Sequence, residues 1–170
     1  MNGHPGGEAH TRRMLALADL QPGASVLDMG AGGGEAVRLL RAAAYDARGI
    51  DLVPRGGGVS QGSFLHMPYP DESFDAVLSQ CAFFVSGDVS GALREAHRVL
   101  KSGGKLLLSD VFFEEPGPLL QKAGFEILHA EDVTDAWREY YLEALWRGEA
   151  PCCRIPRGRC HYKLLICVKK

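Results

Sequence analysis

The chain has 170 residues, of which 46% are hydrophobic and 24% are charged, and its formal net charge is −2. This length suits one domain with one core, and the slightly acidic balance offers no basic surface for nucleic acid. The sequence contains no apolar run of the roughly 18–20 residues that a membrane span needs, and no apolar signal-peptide core, so we expect one cytoplasmic domain over residues 1–170 that binds neither nucleic acid nor membrane.

The chain opens with a turn and a helix. His-Pro-Gly-Gly at residues 4–7 is typical of a turn. Residues 8–20 then carry Met14, Leu15 and Ala18 at the spacing of one apolar helix face. Gln-Pro-Gly at residues 21–23 ends this helix, and residues 24–28 are predicted to form the first strand.

A glycine-rich turn follows that strand and organises the rest of the chain. Residues 28–34 read Asp-Met-Gly-Ala-Gly-Gly-Gly, and residues 35–44 continue with a helical pattern. Strand, glycine turn and helix in this order are typical of the first crossover of a nucleotide-binding α/β fold. Glycine is needed because a Cβ would push a bound cofactor away from the backbone.

The glycine spacing separates two cofactor classes. A dinucleotide fingerprint counted from Gly30 needs its third glycine at position 35, where this chain has Glu35. A carboxylate at the start of the helix repels a pyrophosphate, so an oxidoreductase that uses a dinucleotide is disfavoured. Asp28 instead suits a cofactor that carries an ammonium group.

Residues 26–34, Val-Leu-Asp-Met-Gly-Ala-Gly-Gly-Gly, resemble motif I of the class I S-adenosylmethionine-dependent methyltransferases. The resemblance implies that the turn with Gly30, Ala31, Gly32 and Gly34 passes under the methionine and ribose of S-adenosyl-L-methionine. It also implies that Asp28 helps to hold the amino-acid end of that cofactor.

The second predicted strand, residues 47–52, ends in an acid. In this fold an acid at that position accepts the ribose hydroxyls, so Asp51 and its neighbour Leu52 are predicted to contact the cofactor. The alternative for Asp51 is a solvated residue at a strand end. Pro54 and three successive glycines follow, and they disfavour the helix that most relatives have there. We expect a short loop that leaves one edge of the adenosine pocket open.

Residues 61–79 resemble the family's next conserved stretch, with one departure. Relatives have an acid that accepts a hydrogen bond from the adenine amine, and this chain has Ser63, a weaker acceptor. Phe64 is predicted to stack on the adenine. Residues 74–79 are predicted to form the fourth strand, and Ser79 at its carboxyl end to contact the cofactor.

The same strand ends predict the acceptor side, where Ser79, Cys81, Asp110 and His66 are candidates. Cys81 is either a residue of the acceptor site or a small apolar packing residue. The sequence does not identify a catalytic base.

The remaining pattern completes the fold. A helix is predicted from residues 86–88 to the glycines at 103–104, followed by a fifth strand, a short helix at 119–123 and a strand at 124–129. A helix from 131 to about 147 has Trp137, Tyr141, Ala144 and Leu145 on one face, which indicates a core stripe rather than a substrate cage. With a last strand at 162–168, we expect a Rossmann-like doubly wound α/β sheet of seven mostly parallel strands. The resemblance implies that the last strand is antiparallel.

Cys152, Cys153, Cys160 and His161 lie close together in sequence. Thiolates bind soft metals and elements, and nearby arginines favour the thiolate. The spacing is not a regular zinc pattern, and loop cysteines with no special role are the alternative. We therefore predict no metal site here.

The resemblance implies a methyltransferase that uses S-adenosyl-L-methionine and acts on a small molecule. The chain lacks the insertions that usually cover the acceptor, which predicts an open cleft or a cover from a partner chain or second copy. The alternative is a non-catalytic S-adenosylmethionine-binding accessory or regulatory module. The missing helix after Asp51 and the serine at position 63 favour that alternative.

Overall fold

The computed structural model describes residues 4–149 and 158–170 of the chain. The helices are α1 (Gly7–Ala18), α2 (Glu35–Ala42), α3 (Phe83–Ser86), α4 (Val89–Val99), α5 (Gly117–Lys122) and α6 (Thr134–Trp146). The strands are β1 (Ser25–Met29), β2 (Asp46–Asp51), β3 (Val59–Gln61), β4 (Phe74–Gln80), β5 (Leu100–Phe112), β6 (Phe125–Asp132) and β7 (His161–Lys169).

The seven strands form one sheet in the order β3-β2-β1-β4-β5-β7-β6. β7 is antiparallel to its neighbours β5 and β6, and the other paired strands are parallel. The chain runs from β1 outward to β3 and then returns to add β4 on the other side of β1. The strand order therefore reverses between β1 and β4, which is where a ligand crevice forms in such sheets. This topology confirms the predicted fold class and the antiparallel last strand.

Both faces of the sheet are buried, as a parallel sheet requires. Successive residues of a strand point to opposite faces. Leu27 therefore packs in one core cluster with Leu93 of α4, and its neighbour Val26 packs in a second cluster with Met14 of α1 and Leu40 of α2.

The predicted end of the helix that corresponds to α4 is wrong. α4 ends at Val99, and Gly103 and Gly104 lie inside β5. Leu100 pairs with Phe74, and the register then shifts by a bulge before Lys105 pairs with Ala76. Strand pairing therefore takes over at Leu100, although the apolar spacing continues the helical pattern.

Two short elements were not predicted from the sequence. β3 lies in the segment expected to be a loop, and α3 begins at Phe83, two residues after Cys81. The expected absence of a helix between β2 and β3 is confirmed for residues 52–58, all of which are described. On α6, Trp137, Tyr141 and Ala144 are buried as predicted, but Leu145 is 56% exposed and does not belong to the core stripe. Within residues 4–149 and 158–170 no helix has the length and apolar character that crossing a membrane demands.

Candidate functional site

A cavity of about 300 Å³ lies at the carboxyl ends of β1, β2 and β4. Of the ten residues that the sequence predicts to bind the cofactor, eight line this cavity: Asp28, Gly30, Ala31, Gly32, Asp51, Leu52, Ser63 and Phe64. The strand order therefore brings together residues that are distributed over 37 positions of the chain, from 28 to 64.

The glycine turn is held tightly between β2 and the residue before α3. The backbone N–H groups of Gly30 and Ala31 both donate to the carbonyl oxygen of Ile50, at 2.9 and 3.2 Å. Gly30 has φ +85°, and a Cβ there would lie 2.4 Å from the Cβ of Ala82. Position 30 therefore tolerates only glycine, for its conformation and for the close approach.

Asp28 is a buried acid at the floor of the cavity. Its side chain is 4% exposed, and no hydrogen bond reaches its carboxylate from the residues that the structure describes. Burial raises the pKa of Asp28 to about 7, and the negative charges of Asp51 and Glu35 add to this effect. A cationic group in the cavity would stabilise the ionised form and supply the missing partner.

Asp51 is held rigidly at the end of β2. Its Oδ2 accepts a hydrogen bond from the N–H of Gly32 at 2.8 Å, and its Oδ1 accepts one from the N–H of Val53, also at 2.8 Å. A carboxylate has about four lone-pair positions, so each oxygen keeps one for a ligand. The geometry suits two neighbouring hydroxyl groups. Leu52 is 63% exposed at the rim.

Ser63 and Phe64 form the far wall. The Ser63 hydroxyl oxygen already accepts a hydrogen bond from the N–H of Leu65 at 3.2 Å, which closes a local turn. The Phe64 ring lies 5.7 Å from the ring of Phe83 and belongs to a core cluster. It presents an apolar surface to the cavity from a fixed position.

Two predicted cofactor residues do not line the cavity. Gly34 has φ +74° and is the residue before α2; its N–H donates to Ala31 O at 2.7 Å. Ser79 is fully buried, and its hydroxyl donates to the Met29 carbonyl oxygen at 2.9 Å. Gly34 therefore holds the turn in place, and Ser79 links β4 to β1. Both residues are buried in the protein.

Of the four acceptor-side candidates, only Cys81 lines the cavity. Asp110 is buried, and its carboxylate accepts hydrogen bonds from the N–H groups of Phe84 and Val111. Burial raises the pKa of Asp110 to about 6, and these backbone donors oppose the rise. Asp110 therefore fixes the start of α3. His66 is exposed and lies outside the cavity. Ser79 is buried, as described above.

Sequence reasoning did not place Arg55 in the site. Its N–H donates to Gly32 O at 2.9 Å, and its side chain lines the cavity. A Cβ on Gly56 would lie 2.0 Å from Gly33 O, so residues 53–58 lie directly on the glycine turn. The edge that was expected to be open is therefore lined by Arg55. The loop has no periodic pattern of apolar residues, so its contact with the glycine turn could not be predicted from the sequence.

Glu35, His4 and Gln80 also line the cavity. Glu35 was noted only as an obstacle to pyrophosphate, and its carboxylate folds back over Gly33. His4 belongs to the amino-terminal turn at residues 4–7. Gln80 lies between Ser79 and Cys81 at the end of β4, where the sequence predicts that side chains face the ligand crevice.

The cysteines that the structure describes near the end of the chain are not in a setting that favours a thiolate. Cys160 and Cys81 belong to an apolar cluster with Trp137, Tyr141 and Tyr162. Burial raises the pKa of the Cys160 thiol, which is opposite to the thiolate that nearby arginines were expected to favour.

The other members of that set give no metal geometry. His161 Nδ1 lies 3.0 Å from Asp132 Oδ2, and Cys152 and Cys153 lie outside the described residues. Within the part of the chain that the structure covers, no three His, Cys, Asp or Glu side chains are placed to hold a metal.

Comparison with known proteins adds a family to this geometry. Residues 27–108 match a family described as a methyltransferase domain. The chain is 34% identical over 145 residues to the glycine/sarcosine/dimethylglycine N-methyltransferase of Actinopolyspora halophila, covering 71% of this chain and 26% of that protein. It is 30% identical over 148 residues to the uncharacterized methyltransferase YodH of Bacillus subtilis, covering 75% of this chain and 63% of that protein. The chain thus spans less than two thirds of the length of both relatives.

A solved structure shares the fold. Phosphoethanolamine N-methyltransferase 2 of Haemonchus contortus, in complex with S-adenosyl-L-methionine, superposes with a TM-score of 0.76 at 18% identity. The match covers 98% of this chain and 53% of that chain.

Proposed function

Because the chain belongs to the class I S-adenosylmethionine-dependent methyltransferases, we propose that its cavity binds S-adenosyl-L-methionine and that it methylates a small acceptor. The observation that carries the proposal is the pair of carboxylates on either side of the glycine turn. Asp28 is buried without a hydrogen-bond partner among the described residues, and Asp51 is fixed by two backbone donors. Both carboxylates line the cavity beside the glycine turn, and such a pair suits a nucleoside that also carries an amino acid.

Seven residues of the cavity then have defined tasks. Asp28 pairs with the ammonium group of the amino acid, and Asp51 accepts hydrogen bonds from the ribose hydroxyls. Phe64 and Leu52 give apolar contact to the adenine, and the Ser63 hydroxyl remains a donor toward it. Gly30 and Gly32 let the cofactor lie on the backbone.

When bound, S-adenosylmethionine would supply a methyl group on a positively charged sulfur, and the sulfur would leave as S-adenosylhomocysteine when a lone pair of the acceptor attacks the methyl carbon. The contribution of the protein to such a displacement is mainly alignment of the two reactants. The walls of the cavity supply it: the glycine turn and Asp28 on one side, and Gln80 and Cys81 at the end of β4 on the other.

The volume that the cofactor would leave in the cavity supports a small acceptor. The cavity measures about 300 Å³ in all, near the lower end of the range for ligand pockets, and the cofactor takes much of it. The relatives are named for acceptors of different sizes, from glycine and sarcosine to a sterol and demethylmenaquinone, so the size class rests on the cavity.

The second candidate is a binding module without catalysis. It is favoured by Ser63, whose hydroxyl oxygen is used in a local turn, so the adenine contact is weaker than a carboxylate would give. The other argument for this candidate is the missing helix after Asp51. Residues 53–58 weaken it, because they cover the glycine turn without forming a helix.

Two measurements test the proposal. Isothermal titration calorimetry with S-adenosyl-L-methionine and with NAD identifies the cofactor, and we expect binding of the first only. Formation of S-adenosylhomocysteine with a panel of small amines, thiols and alcohols then separates the enzyme from the module. NAD binding without S-adenosylmethionine binding would contradict the cofactor. Tight cofactor binding with no turnover across the panel favours the module.

A further inference from the structure

The amino-terminal turn meets the end of β4, on the side of β1 opposite to β2. Pro5 and Gly6 are the central residues of a type II β-turn, in which Gly7 N–H donates to His4 O at 3.0 Å and Gly6 has φ +80°. A Cβ on Gly6 would also lie 2.7 Å from the Cβ of His10. The turn directs the side chain of His4 to the cavity, which it lines.

Three side chains from separate parts of the chain form a closed ring of hydrogen bonds there. Thr11 Oγ1 donates to Gln80 Oε1 at 3.1 Å. Gln80 Nε2 lies 3.2 Å from His4 Nδ1, and His4 Nε2 lies 3.1 Å from Thr11 Oγ1. With the imidazole proton on Nε2, each group donates once and accepts once within the ring. With the proton on Nδ1, His4 instead donates to the Pro5 carbonyl oxygen at 3.1 Å, and Gln80 keeps both of its N–H donors. Thr11 is 1% exposed and Gln80 8% exposed, and His4 is half-buried beside the cavity.

A second contact holds the same helix on the neighbouring strand. His10 Nε2 lies 2.8 Å from Ser109 Oγ near the end of β5, and Tyr162 Oη donates to the Ser109 carbonyl oxygen at 3.2 Å. α1 is therefore tied to β4 through Thr11 and to β5 through His10. These contacts hold Thr11 beside the amide oxygen of Gln80.

The fixed amide keeps hydrogen-bonding capacity toward the cavity. A glutamine amide has two N–H donors and two lone pairs on its oxygen. Within the described residues, the ring uses one N–H and one lone pair of Gln80. One donor and one acceptor remain on a side chain that lines the cavity.

We propose that Gln80 binds the methyl acceptor through a neutral polar group that both donates and accepts a hydrogen bond, such as a hydroxyl, an amide or an uncharged amine. His4 contacts the acceptor beside it, and Thr11 is a positioning residue. The inference rests on the proposed function, because it assigns the β4 side of the cavity to the acceptor. Asp28 and Asp51, which face the cofactor in that function, lie on β1 and β2.

Cys81 offers a chemical probe of this wall, because it follows Gln80 and lines the same cavity. The protein loaded with S-adenosylhomocysteine is treated with 2-chloroacetamide, whose amide both donates and accepts, or with N,N-dimethyl-2-chloroacetamide, which has no N–H. Alkylation of Cys81 is followed by peptide mass spectrometry and corrected for each reagent's rate with glutathione. We expect about fivefold faster labelling by the first reagent, the effect of one hydrogen bond.

Variants of the positioning residue make the test specific. Thr11→Val removes the hydroxyl at similar volume and should abolish the preference between reagents, whereas Thr11→Ser should restore it. Arg12→Ala on the exposed face of the same helix is the matched control. Gln80→Met provides an independent variant in case Thr11→Val lowers the melting temperature strongly. Affinity for S-adenosylhomocysteine should stay within about twofold in all of them, since no cofactor hydrogen bond is removed.

Three outcomes would overturn the inference while leaving the proposed function intact. One is an unchanged preference in Thr11→Val and Gln80→Met. The second is a large loss of S-adenosylhomocysteine affinity in Thr11→Val, which would assign the ring to the cofactor. The third is complete protection of Cys81 by S-adenosylhomocysteine. Failure of wild-type protein to bind either S-adenosylmethionine or its product would instead overturn the proposed function, and this inference with it.

Discussion

The two sides of the cavity are built in different ways. On the β2 side, the contacts join residues that are close in sequence or on adjacent strands, as in the bond from Gly32 to Asp51, 19 positions apart. On the β4 side, the contacts join distant parts of the chain: Thr11 and Gln80 are 69 positions apart, and His10 and Ser109 are 99 apart. The first side is a local motif, and the second exists only after the whole sheet has formed.

This difference suggests a division of labour. A local turn with glycines and two acids can be kept by selection on a few neighbouring positions, so it suits a cofactor that many relatives share. A wall made from the amino-terminal turn and the end of β4 can change without disturbing that turn. The comparison predicts that variants on the β2 side alter cofactor binding, and variants on the β4 side alter other properties.

The largest effect is expected at Gly30. Gly30→Ala places a Cβ 2.4 Å from that of Ala82, in a left-handed conformation with φ +85°. We expect affinity for S-adenosylmethionine to fall more than about a hundredfold, because the turn must move and backbone strain adds roughly 1–3 kcal/mol. Gly23→Ala is the matched control, since Gly23 has φ +80° but open space around it. Calorimetry on both variants checks this, and equal affinities would contradict the role of the turn.

Asp51 should come next. Asp51→Ala removes the proposed ribose acceptor and the partners of two backbone N–H groups. We expect a loss of about 2 kcal/mol in binding, or roughly thirtyfold in Kd. Asp46→Asn, at the exposed start of the same strand, should leave Kd unchanged. An unaltered Kd in Asp51→Ala would remove Asp51 from the cofactor site.

Much of the β2 side could be predicted from the sequence. A strand, a glycine turn and an acid at the end of the next strand are close enough in sequence to be identified as one pattern. Of the eight predicted residues that line the cavity, six belong to this pattern, and Ser63 and Phe64 were predicted from the resemblance of residues 61–79. Gly34 and Ser79 do not line the cavity, because Gly34 directly precedes α2 and the period of the strand turns Ser79 inward to Met29.

The β4 side could not be predicted in the same way. Nothing in the residues around His4 or Thr11 indicates that they meet Gln80, because that contact depends on how α1 packs across the sheet. Arg55 is a similar case, since its loop has no periodicity and its position is fixed by contact with Gly32. The end of α4 was wrong because strand pairing of Leu100 overrides a continuing helical pattern.

His10 gives a stability test of the β4 side. Burial lowers the pKa of His10 to about 4, and the neighbouring His4 adds to the effect. The neutral form therefore stabilises the fold fully above the unfolded value of 6.5, and this contribution is lost as pH falls from 6.5 through 4. At pH 5 we expect the free energy of unfolding to be about 2 kcal/mol lower than at pH 7.5 from this group alone.

Urea unfolding at several pH values measures that difference in wild type and in His10→Asn. The variant should lose most of the dependence between pH 7.5 and pH 5, whereas His66→Asn, at an exposed position, should keep it. A dependence that survives in His10→Asn would assign the effect to other groups. Cofactor affinity per folded molecule should not change with His10→Asn, because the residue lies on the β4 side.

The smallest effect concerns Asp28 and returns to the β2 side. Burial, with the charges of Asp51 and Glu35, raises the pKa of Asp28 to about 7, and a cofactor ammonium group binds the ionised carboxylate. Between pH 6 and pH 7 the ionised fraction rises about fivefold, while an α-amino group with a pKa of about 8 stays mostly protonated. Affinity for S-adenosylmethionine should rise about fivefold over this interval in wild type. Asp28→Asn should bind more weakly at pH 7 and show a flat profile, because the titrating group is gone. If wild type and Asp28→Asn had parallel profiles, the ammonium partner would have to be sought elsewhere in the cavity, with Glu35 the next residue to substitute.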